Sequence, residues 1–130
     1  MKFGILVVED NQPNRELLCD WLEVEGYEVW SAPDLKTSYE ILAAHRPDAV
    51  LLDINLGAEN GLDLVAWMQQ KLEMAEIPVL AVTAHALVAE QQRILQAGCR
   101  ACLSKPINFQ GLRNELSHWL QKRVASRTEP

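Results

Sequence analysis

Residues 49–53 read Ala-Val-Leu-Leu-Asp, four apolar side chains followed at once by an aspartate. An apolar run this short predicts a strand that is buried on both faces. The same pattern recurs in the runs Phe3–Val8 and Val79–Val82, which are followed by Glu9 and Thr83. Continuous apolar strands of this kind are typical of a parallel sheet that is covered by helices on both sides.

Segments with apolar residues at helical spacing separate these runs, so that five strands alternate with five helices along the chain. The predicted strands are Phe3–Val8, Tyr27–Ala32, Ala49–Leu52, Val79–Val82 and Ala101–Leu103. The predicted helices begin near Pro13, cover about 35–45, carry Leu62 through Leu72, span Ala86–Ala97, and carry Leu112 through Leu120. This alternation predicts an α/β doubly wound domain with a five-stranded parallel sheet.

The chain has 130 residues, which fits one domain with a single continuous core. We expect that domain to occupy residues 1–123 and to be followed by a polar tail over 124–130. Met1 lies close to the first strand, which favours a stand-alone protein or a domain at the start of a longer chain.

Composition disfavours several classes of function. The formal net charge of −6 argues against direct nucleic-acid binding, because phosphate backbones attract basic proteins. No segment approaches the roughly 20 apolar residues that span a bilayer, so we expect no membrane insertion. The cysteines number three, an odd and sparse set that predicts reduced thiols and a cytoplasmic protein.

Cys99 and Cys102 have a C-x-x-C spacing, which occurs in metal and redox sites. A tetrahedral zinc site needs two further ligands, and the sequence contains no second C-x-x-C and no H-x3-H pair. Two small core thiols are therefore the favoured interpretation, and a functional thiol pair is the alternative.

Five polar residues follow the predicted strands at their carboxyl ends. They are Glu9 and Asp10 after the first strand, Asp53 after the third, Thr83 after the fourth and Lys105 after the fifth. The carboxyl ends of parallel strands lie at one edge of the sheet, where ligands bind in open α/β folds. A single acid at a strand end is more often a helix cap than a catalyst, so the prediction depends on the joint pattern.

This set of side chains suits phosphoryl chemistry. Three carboxylates close together repel one another unless a cation lies among them, and hard oxygen ligands select Mg²⁺ or a similar ion. Lys105 adds a positive charge for a phosphate or a carboxylate, and Thr83 adds a hydroxyl donor. The set therefore predicts metal-assisted transfer of a phosphoryl group onto a carboxylate.

The same stretches resemble a known family. Ile5–Asn11, Val50–Asp53, Thr83-Ala84 and Lys105-Pro106 are similar to the CheY-like receiver domain of two-component response regulators, over about residues 3–122. The resemblance implies a flavodoxin-like strand order of 2-1-3-4-5, with five helices distributed over both faces of the sheet. Residues 83–86 and 103–107 look most like receivers of hybrid kinases and single-domain regulators of phosphorelays.

The resemblance also implies roles for the acidic residues. Asp53 would be the phosphoacceptor and would help to hold Mg²⁺. Asp10 would bind the ion directly, Glu9 would bind it through water, and Asn55 would bind it through its backbone carbonyl. Asn55 could also influence the rate of dephosphorylation.

Further residues are implied around the phosphate. Thr83 would move to the phosphoryl group after transfer, and Lys105 would pair with it. Ala84 is small and would leave room there, and the peptide bond between Lys105 and Pro106 would be cis. His85 either tunes the attack of water on the acyl phosphate or is an exposed loop histidine, and both interpretations stay open.

Two positions depart from the family pattern. Cys102 stands where the family usually has Tyr or Phe, whose inward movement reports phosphorylation on the surface of helix four, strand five and helix five. A thiol is small, so we expect this readout to be altered. Gly57 replaces a frequent proline in the loop after Asp53, and glycine loosens the backbone there.

The favoured function is a phosphorylation-controlled receiver that takes a phosphoryl group from a histidine kinase or histidine phosphotransfer protein and changes its binding to a downstream protein. Apart from its own phosphorylation and slow dephosphorylation, it is not expected to be an enzyme. Homodimer formation, which is common in the family, stays open. The alternatives are a degenerate receiver that only binds partners, and a Mg²⁺-dependent phosphatase, which would typically need an acid at the position of Asn55.

Overall fold

The computed structural model describes residues 2–85 and 87–128, and it describes the side chains of the last helix as far as Val124. This part of the chain contains seven strands and five helices. The strands are β1 (Gly4–Val8), β2 (Glu28–Ala32), β3 (Ala49–Asp53), β4 (Asn55–Leu56), β5 (Glu59–Asn60), β6 (Val79–Thr83) and β7 (Ala101–Ser104). The helices are α1 (Gln12–Val24), α2 (Leu35–Ala44), α3 (Leu62–Gln69), α4 (Val88–Gln96) and α5 (Phe109–Thr128).

Five strands form one parallel sheet in the order β2-β1-β3-β6-β7. These are the five strands that the sequence predicts, so the order 2-1-3-4-5 is confirmed. All residues of β1, β3 and β6 are buried. The strand order reverses between β1 and β3, and ligands bind at such a switch point in doubly wound folds.

The two faces of the sheet bury separate apolar cores, because successive side chains of a strand point to opposite faces. In β1, Leu6 and Val8 belong to the first core, whereas Ile5 and Val7 belong to the second. The first core receives Leu42 from α2, Leu64 from α3 and Ile94 from α4, and the second receives Leu18 from α1 and Leu112 from α5. Helices therefore cover both faces, as the doubly wound prediction requires.

Side-chain caps fix where the first two helices begin. The Asn11 Oδ1 atom accepts a hydrogen bond from the Asn14 amide at 3.0 Å, and the Asp34 Oδ1 atom accepts one from the Thr37 amide at 2.8 Å. The first turn of a helix leaves amide groups without partners inside the helix, and these caps supply partners. The loops that precede α1 and α2 are thereby held close to the carboxyl ends of β1 and β2.

β4 and β5 form a short antiparallel hairpin where the sequence predicts a loop. Leu56 is 3% exposed and anchors the hairpin in the first core. Gly57 has a φ of 59°, a left-handed conformation that glycine adopts without steric penalty. Strands of two residues are too short to show a period of two in a sequence, so the pairing could not be predicted.

The end of α3 differs from the prediction. This helix ends at Gln69, whereas the apolar spacing had placed Leu72 on its buried stripe. Leu72 lies in the turns that follow and is 91% exposed. The prediction was wrong because one leucine at helical spacing does not show whether the chain continues as a helix.

The last two helices also differ in extent from the prediction. α4 begins at Val88, and its predicted start at Ala86 lies outside the described residues. α5 continues to Thr128, so that residues 124–128 of the expected tail extend this helix, and 129–130 lie outside the described residues. Within the described chain, none of the helices combines the length and apolar character needed to cross a membrane.

Gly61 provides a test of the backbone beside Asp53. A Cβ atom on Gly61 would lie 2.7 Å from the carbonyl oxygen of Asp53 and 2.9 Å from the Cα atom of Ile54. We expect Gly61→Ala to lower the free energy of unfolding by about 1–3 kcal/mol, because backbone atoms have to move. The measurement is the midpoint of urea unfolding.

Gly111→Ala is the matched control. A Cβ atom on Gly111 has its nearest neighbour at 3.8 Å, in Asn108, and the residue lies within α5. Alanine is favoured over glycine in a helix, so this variant should be as stable as the parent or more stable. An equal loss of stability in both variants would contradict the proposed clash.

Candidate functional site

The predicted polar residues lie together at the carboxyl edge of the sheet. Glu9 and Asp10 follow β1, and the Glu9 amide donates to the last carbonyl of β2 at 3.0 Å. Asp53 and Thr83 end β3 and β6. Lys105 follows β7, and its amide donates to the Thr83 carbonyl at 2.9 Å. Strand pairing thus positions all five residues, which lie up to 96 positions apart in the chain.

Three carboxylates form the centre of the site. Glu9, Asp10 and Asp53 each offer an oxygen atom, and these atoms all lie within 4.8 Å of one another. Glu9 is 3% exposed and Asp53 is 4% exposed, whereas Asp10 is open to solvent. The cluster therefore has a buried side and an open side.

Lys105 brings one positive charge to the two buried acids. Its Nζ atom lies 2.8 Å from the Asp53 Oδ2 atom and 3.5 Å from the Glu9 Oε1 atom. Partial burial lowers the pKa of Lys105, but the hydrogen bond to Asp53 and the charges of both acids outweigh burial and leave the pKa raised. Lys105 therefore stays protonated at neutral pH.

Of the two buried acids of the site, Glu9 has the less complete hydrogen bonding and charge pairing. The pKa of Glu9 is raised to about 7, chiefly by burial and also by the neighbouring Asp53, whereas the charge of Lys105 opposes the rise. Among the described residues, the buried Glu9 Oε2 atom has no hydrogen-bond partner. A cation beside this atom would supply the missing partner, and three carboxylates suit a hard divalent ion such as Mg²⁺.

Backbone amides complete the site. The Asn55 amide donates to the Asp53 Oδ1 atom at 3.0 Å. The Thr83 side chain is fully buried, and its Oγ1 atom accepts a hydrogen bond from the His85 amide at 3.1 Å. Ala84 and His85 are exposed beside it. The peptide bond between Lys105 and Pro106 is cis.

Sequence reasoning missed one contact of the site. The Arg15 Nη1 atom donates to the backbone carbonyl of Glu9 at 2.9 Å. This contact ties the first turns of α1 to the loop that carries the acids. A basic residue early in a helix gives no sign of a backbone partner, so no sequence signal could have identified it.

A groove of about 430 Å³ lies between α1 and the loop after β7 and opens beside Lys105. Leu17, Ile107 and Phe109 contribute apolar surface to its lining, and Glu9 lines its polar end. Leu17 belongs to α1, and its side chain is 58% exposed. The groove thus offers an apolar contact surface next to the charged site.

Cys102 lies away from the acidic cluster. It belongs to β7, is half-buried and packs against the first core. Cys99 is buried, and burial raises the pKa of its thiol to about 12. All three cysteines are free thiols. A buried thiol with so high a pKa is a poor nucleophile and metal ligand, which favours the interpretation of Cys99 and Cys102 as core thiols.

The family model of the response regulator receiver domain matches residues 5–117 of this chain. The polar-differentiation response regulator DivK of Brucella anthropi is 39% identical over 108 residues, which cover 83% of this chain and 88% of that protein. DivK of Brucella ovis is 38% identical with the same coverage.

Solved structures show the same fold. A CheY-like response regulator receiver domain protein from Methanospirillum hungatei has a TM-score of 0.88 at 24% identity and covers 97% of this chain and 99% of its own. The receiver domain of a signal transduction histidine kinase from Syntrophus aciditrophicus has a TM-score of 0.85 at 26% identity, covering 98% and 95%. A putative response regulator from Chloroflexus aurantiacus has a TM-score of 0.87 at 26% identity, covering 93% and 99%.

Because Glu9 is buried and incompletely hydrogen-bonded, we expect its replacement by glutamine to stabilise the protein by an amount that depends on pH. Because the pKa of Glu9 is raised from 4.5 to about 7, Glu9 keeps its proton in the folded state at pH values where it is already ionised in the unfolded chain. The folded state therefore loses stability as the pH rises from about 4.5 to about 7, and the cost of ionising Glu9 is fully present above pH 7. Without divalent ions, Glu9→Gln should raise the free energy of unfolding by on the order of 1 kcal/mol at about pH 8. The gain should shrink as the pH falls towards about 5.

The measurement is urea unfolding in a chelating buffer at both pH values. Glu40→Gln, at an exposed position of α2, is the control and should change stability little at either pH. A gain for Glu9→Gln that does not depend on pH would contradict the proposed role of its ionisation.

Proposed function

The chain belongs to the response regulator receiver domain family, whose members are signalling modules, and we propose that it accepts a phosphoryl group on Asp53. The donor is a histidine kinase or a histidine phosphotransfer protein, and the phosphoryl group changes binding to a downstream protein. One observation carries the proposal. The Asp53 carboxylate is buried at the carboxyl edge of the sheet, 2.8 Å from the Lys105 ammonium group and grouped with Glu9 and Asp10.

The proposed reaction transfers the phosphoryl group directly between side chains. An oxygen atom of Asp53 attacks the phosphorus atom of a phosphohistidine, the phosphorus–nitrogen bond breaks, and the histidine leaves with that electron pair. The carboxylate is oriented beforehand, because its Oδ2 atom accepts from Lys105 and its Oδ1 atom accepts from the Asn55 amide. Lys105 then balances the negative charge that the phosphoryl group brings.

Glu9, Asp10 and Asp53, together with the backbone carbonyl of Asn55, are the proposed ligands of Mg²⁺. When bound, the ion neutralises negative charge on the carboxylates and on the phosphoryl oxygens. Two observations support this set of ligands. The Oε2 atom of Glu9 has no hydrogen-bond partner within the described part of the chain and can therefore face the ion or its bound water, and the exposed position of Asp10 gives a hydrated ion access from solvent.

Thr83 is the proposed hydroxyl donor to the phosphoryl group. Its Oγ1 atom already accepts a hydrogen bond from the His85 amide, so the hydroxyl proton of Thr83 stays available to donate to a phosphoryl oxygen. Ala84 adds only a methyl group on this exposed side of the site. Asn55 and His85 are exposed, each two residues after Asp53 or Thr83, and we assign to them an effect on the slow hydrolysis of the acyl phosphate by water. This hydrolysis is the one further reaction that we assign to the protein.

The groove beside Lys105 is the proposed approach for the phosphodonor. It places the exposed apolar side chain of Leu17 next to the acceptor site, where a partner protein can cover it. A cytoplasmic location fits the three free cysteines, because reduced thiols persist in reducing compartments. The receiver itself is assigned to residues 1–123, although α5 continues past this limit to Thr128.

Acetyl phosphate provides a direct test of Asp53. We expect the protein to gain the mass of one phosphoryl group when it is incubated with acetyl phosphate and Mg²⁺, and to gain none when the ion is chelated. Asp53→Asn should abolish labelling because the nucleophilic oxygen is lost. Asp20→Asn, an exposed aspartate of α1, should label like the parent. Intact-mass spectrometry followed by peptide mapping measures both.

Absence of labelling at saturating Mg²⁺ would overturn the proposed function and favour a receiver that only binds partners. Sustained turnover of free phosphomonoesters would instead favour a phosphatase.

A further inference from the structure

The short hairpin of residues 55–60, called hairpin 55–60 below, lies next to the proposed phosphoacceptor. Asn55 pairs with Asn60 and Leu56 pairs with Glu59, so that two residue pairs make up the whole ladder. Leu56 is buried in the first core, whereas the other three paired residues are exposed. The hairpin is therefore anchored at one side chain and is otherwise free of the core.

One end of hairpin 55–60 is bonded to the acceptor itself. The Asn55 amide donates to the Asp53 Oδ1 atom at 3.0 Å. Hydrogen bonds to an ionised carboxylate are stronger than those to a neutral oxygen. The chemical state of Asp53 therefore sets the strength of this attachment.

The other strand of hairpin 55–60 is bonded to two helices. The Glu59 Oε1 atom accepts a hydrogen bond at 3.2 Å from the amide of Leu35, the first residue of α2. The Asn60 Oδ1 atom accepts one at 3.0 Å from the amide of Leu62, the first residue of α3. Asp34 caps a different amide of α2, so Glu59 supplies an additional cap from a distant part of the chain.

The two helices meet at a pair of aromatic rings. Tyr39 of α2 and Trp67 of α3 have ring centroids 4.8 Å apart at an angle of 57°. Burial raises the pKa of the Tyr39 hydroxyl, and the charges of Asp63 and Glu59 add to the rise. Glu59 thus lies close enough to act electrostatically on the contact between α2 and α3.

We propose that hairpin 55–60 transmits the phosphorylation state of Asp53 to α2 and α3, and that Glu59 is the positioning residue that makes the connection to α2. This inference rests on the proposed function, since it requires a phosphoryl group on Asp53. It assigns the readout of the signal to the surface of α2 and α3.

Charge redistribution supplies the physical cause. Once an acyl phosphate forms, neither oxygen of the Asp53 carboxyl group carries the ionic charge, which resides on the phosphoryl oxygens instead. The Asn55 amide then has a weaker acceptor in Oδ1 and stronger acceptors on the phosphoryl group. Asn55 pairs with Asn60, and the neighbouring Leu56 pairs with Glu59. A shift of Asn55 therefore moves Asn60 and Glu59 with it.

Beryllofluoride provides the test, because with Mg²⁺ it binds an aspartate as a stable stand-in for the phosphoryl group. Backbone amide and indole NMR signals are recorded before and after its addition, and ¹⁹F NMR reports whether the Asp53 adduct has formed. In the parent protein, we expect shifts at the Leu35 and Leu62 amides and at the Trp67 indole.

Glu59→Ala removes the cap on α2 and leaves the proposed metal ligands in place. We expect the adduct to form as in the parent, while the shift of the Leu35 amide and that of the Trp67 indole fall to less than half. Before addition, the Leu35 amide should exchange with solvent about fivefold faster, as expected for the loss of one hydrogen bond. Glu59→Gln keeps an acceptor oxygen and should retain most of the response.

Glu40→Ala is the matched control, an exposed glutamate of α2, and its shifts should equal those of the parent. An adduct that leaves Leu35 and Trp67 unshifted in the parent would overturn the inference and leave the proposed function standing. Shifts of parental size in Glu59→Ala would also overturn it. Absence of the adduct would overturn the proposed function and the inference together.

Discussion

Two buried carboxylates share one ammonium group at the edge of the sheet, and much of the surrounding structure follows from this arrangement. Lys105 lies 2.8 Å from Asp53 and 3.5 Å from Glu9, whereas the Glu9 Oε2 atom has no partner among the described residues. Burial of an incompletely paired carboxylate costs free energy that the rest of the fold must offset. The sheet holds all three residues in place, because each of them either ends a strand or directly follows one. One ammonium group does not balance both acids, so the site is one that a cation would stabilise.

The parallel sheet explains how such a site can persist. β1 and β3 are buried along their full length and pair on both sides, so their carboxyl ends cannot separate to relieve repulsion between Glu9 and Asp53. Close-packed protein interiors transmit strain instead of absorbing it. The two apolar cores thus supply the stability, and the strand ends hold the charged groups of the candidate site.

The features predicted from the sequence are those that depend on burial of whole segments. Continuous apolar runs identify β1, β3 and β6, and the parallel arrangement then brings Asp53 and Thr83 to one edge. Features that depend on single contacts were not predictable. Leu72 matches helical spacing but lies beyond α3, and Arg15 reaches a backbone carbonyl that no pattern of residue types reveals. Hairpin 55–60 contains too few residues for a periodicity of its own.

The contrast between the sheet and hairpin 55–60 bears on how a change at Asp53 spreads. Cys102 lies in β7, whose pairing with β6 involves four residue pairs, and its thiol is too small to fill or vacate much space. Hairpin 55–60 has two pairs and one buried anchor. A change of about 1 kcal/mol in one hydrogen bond is small against the stability of a packed sheet but comparable to that of a short exposed ladder. A hydrogen bond lost or gained at the Asp53 Oδ1 atom therefore displaces the hairpin before it displaces the sheet. The helices that the hairpin caps are then the first elements to respond.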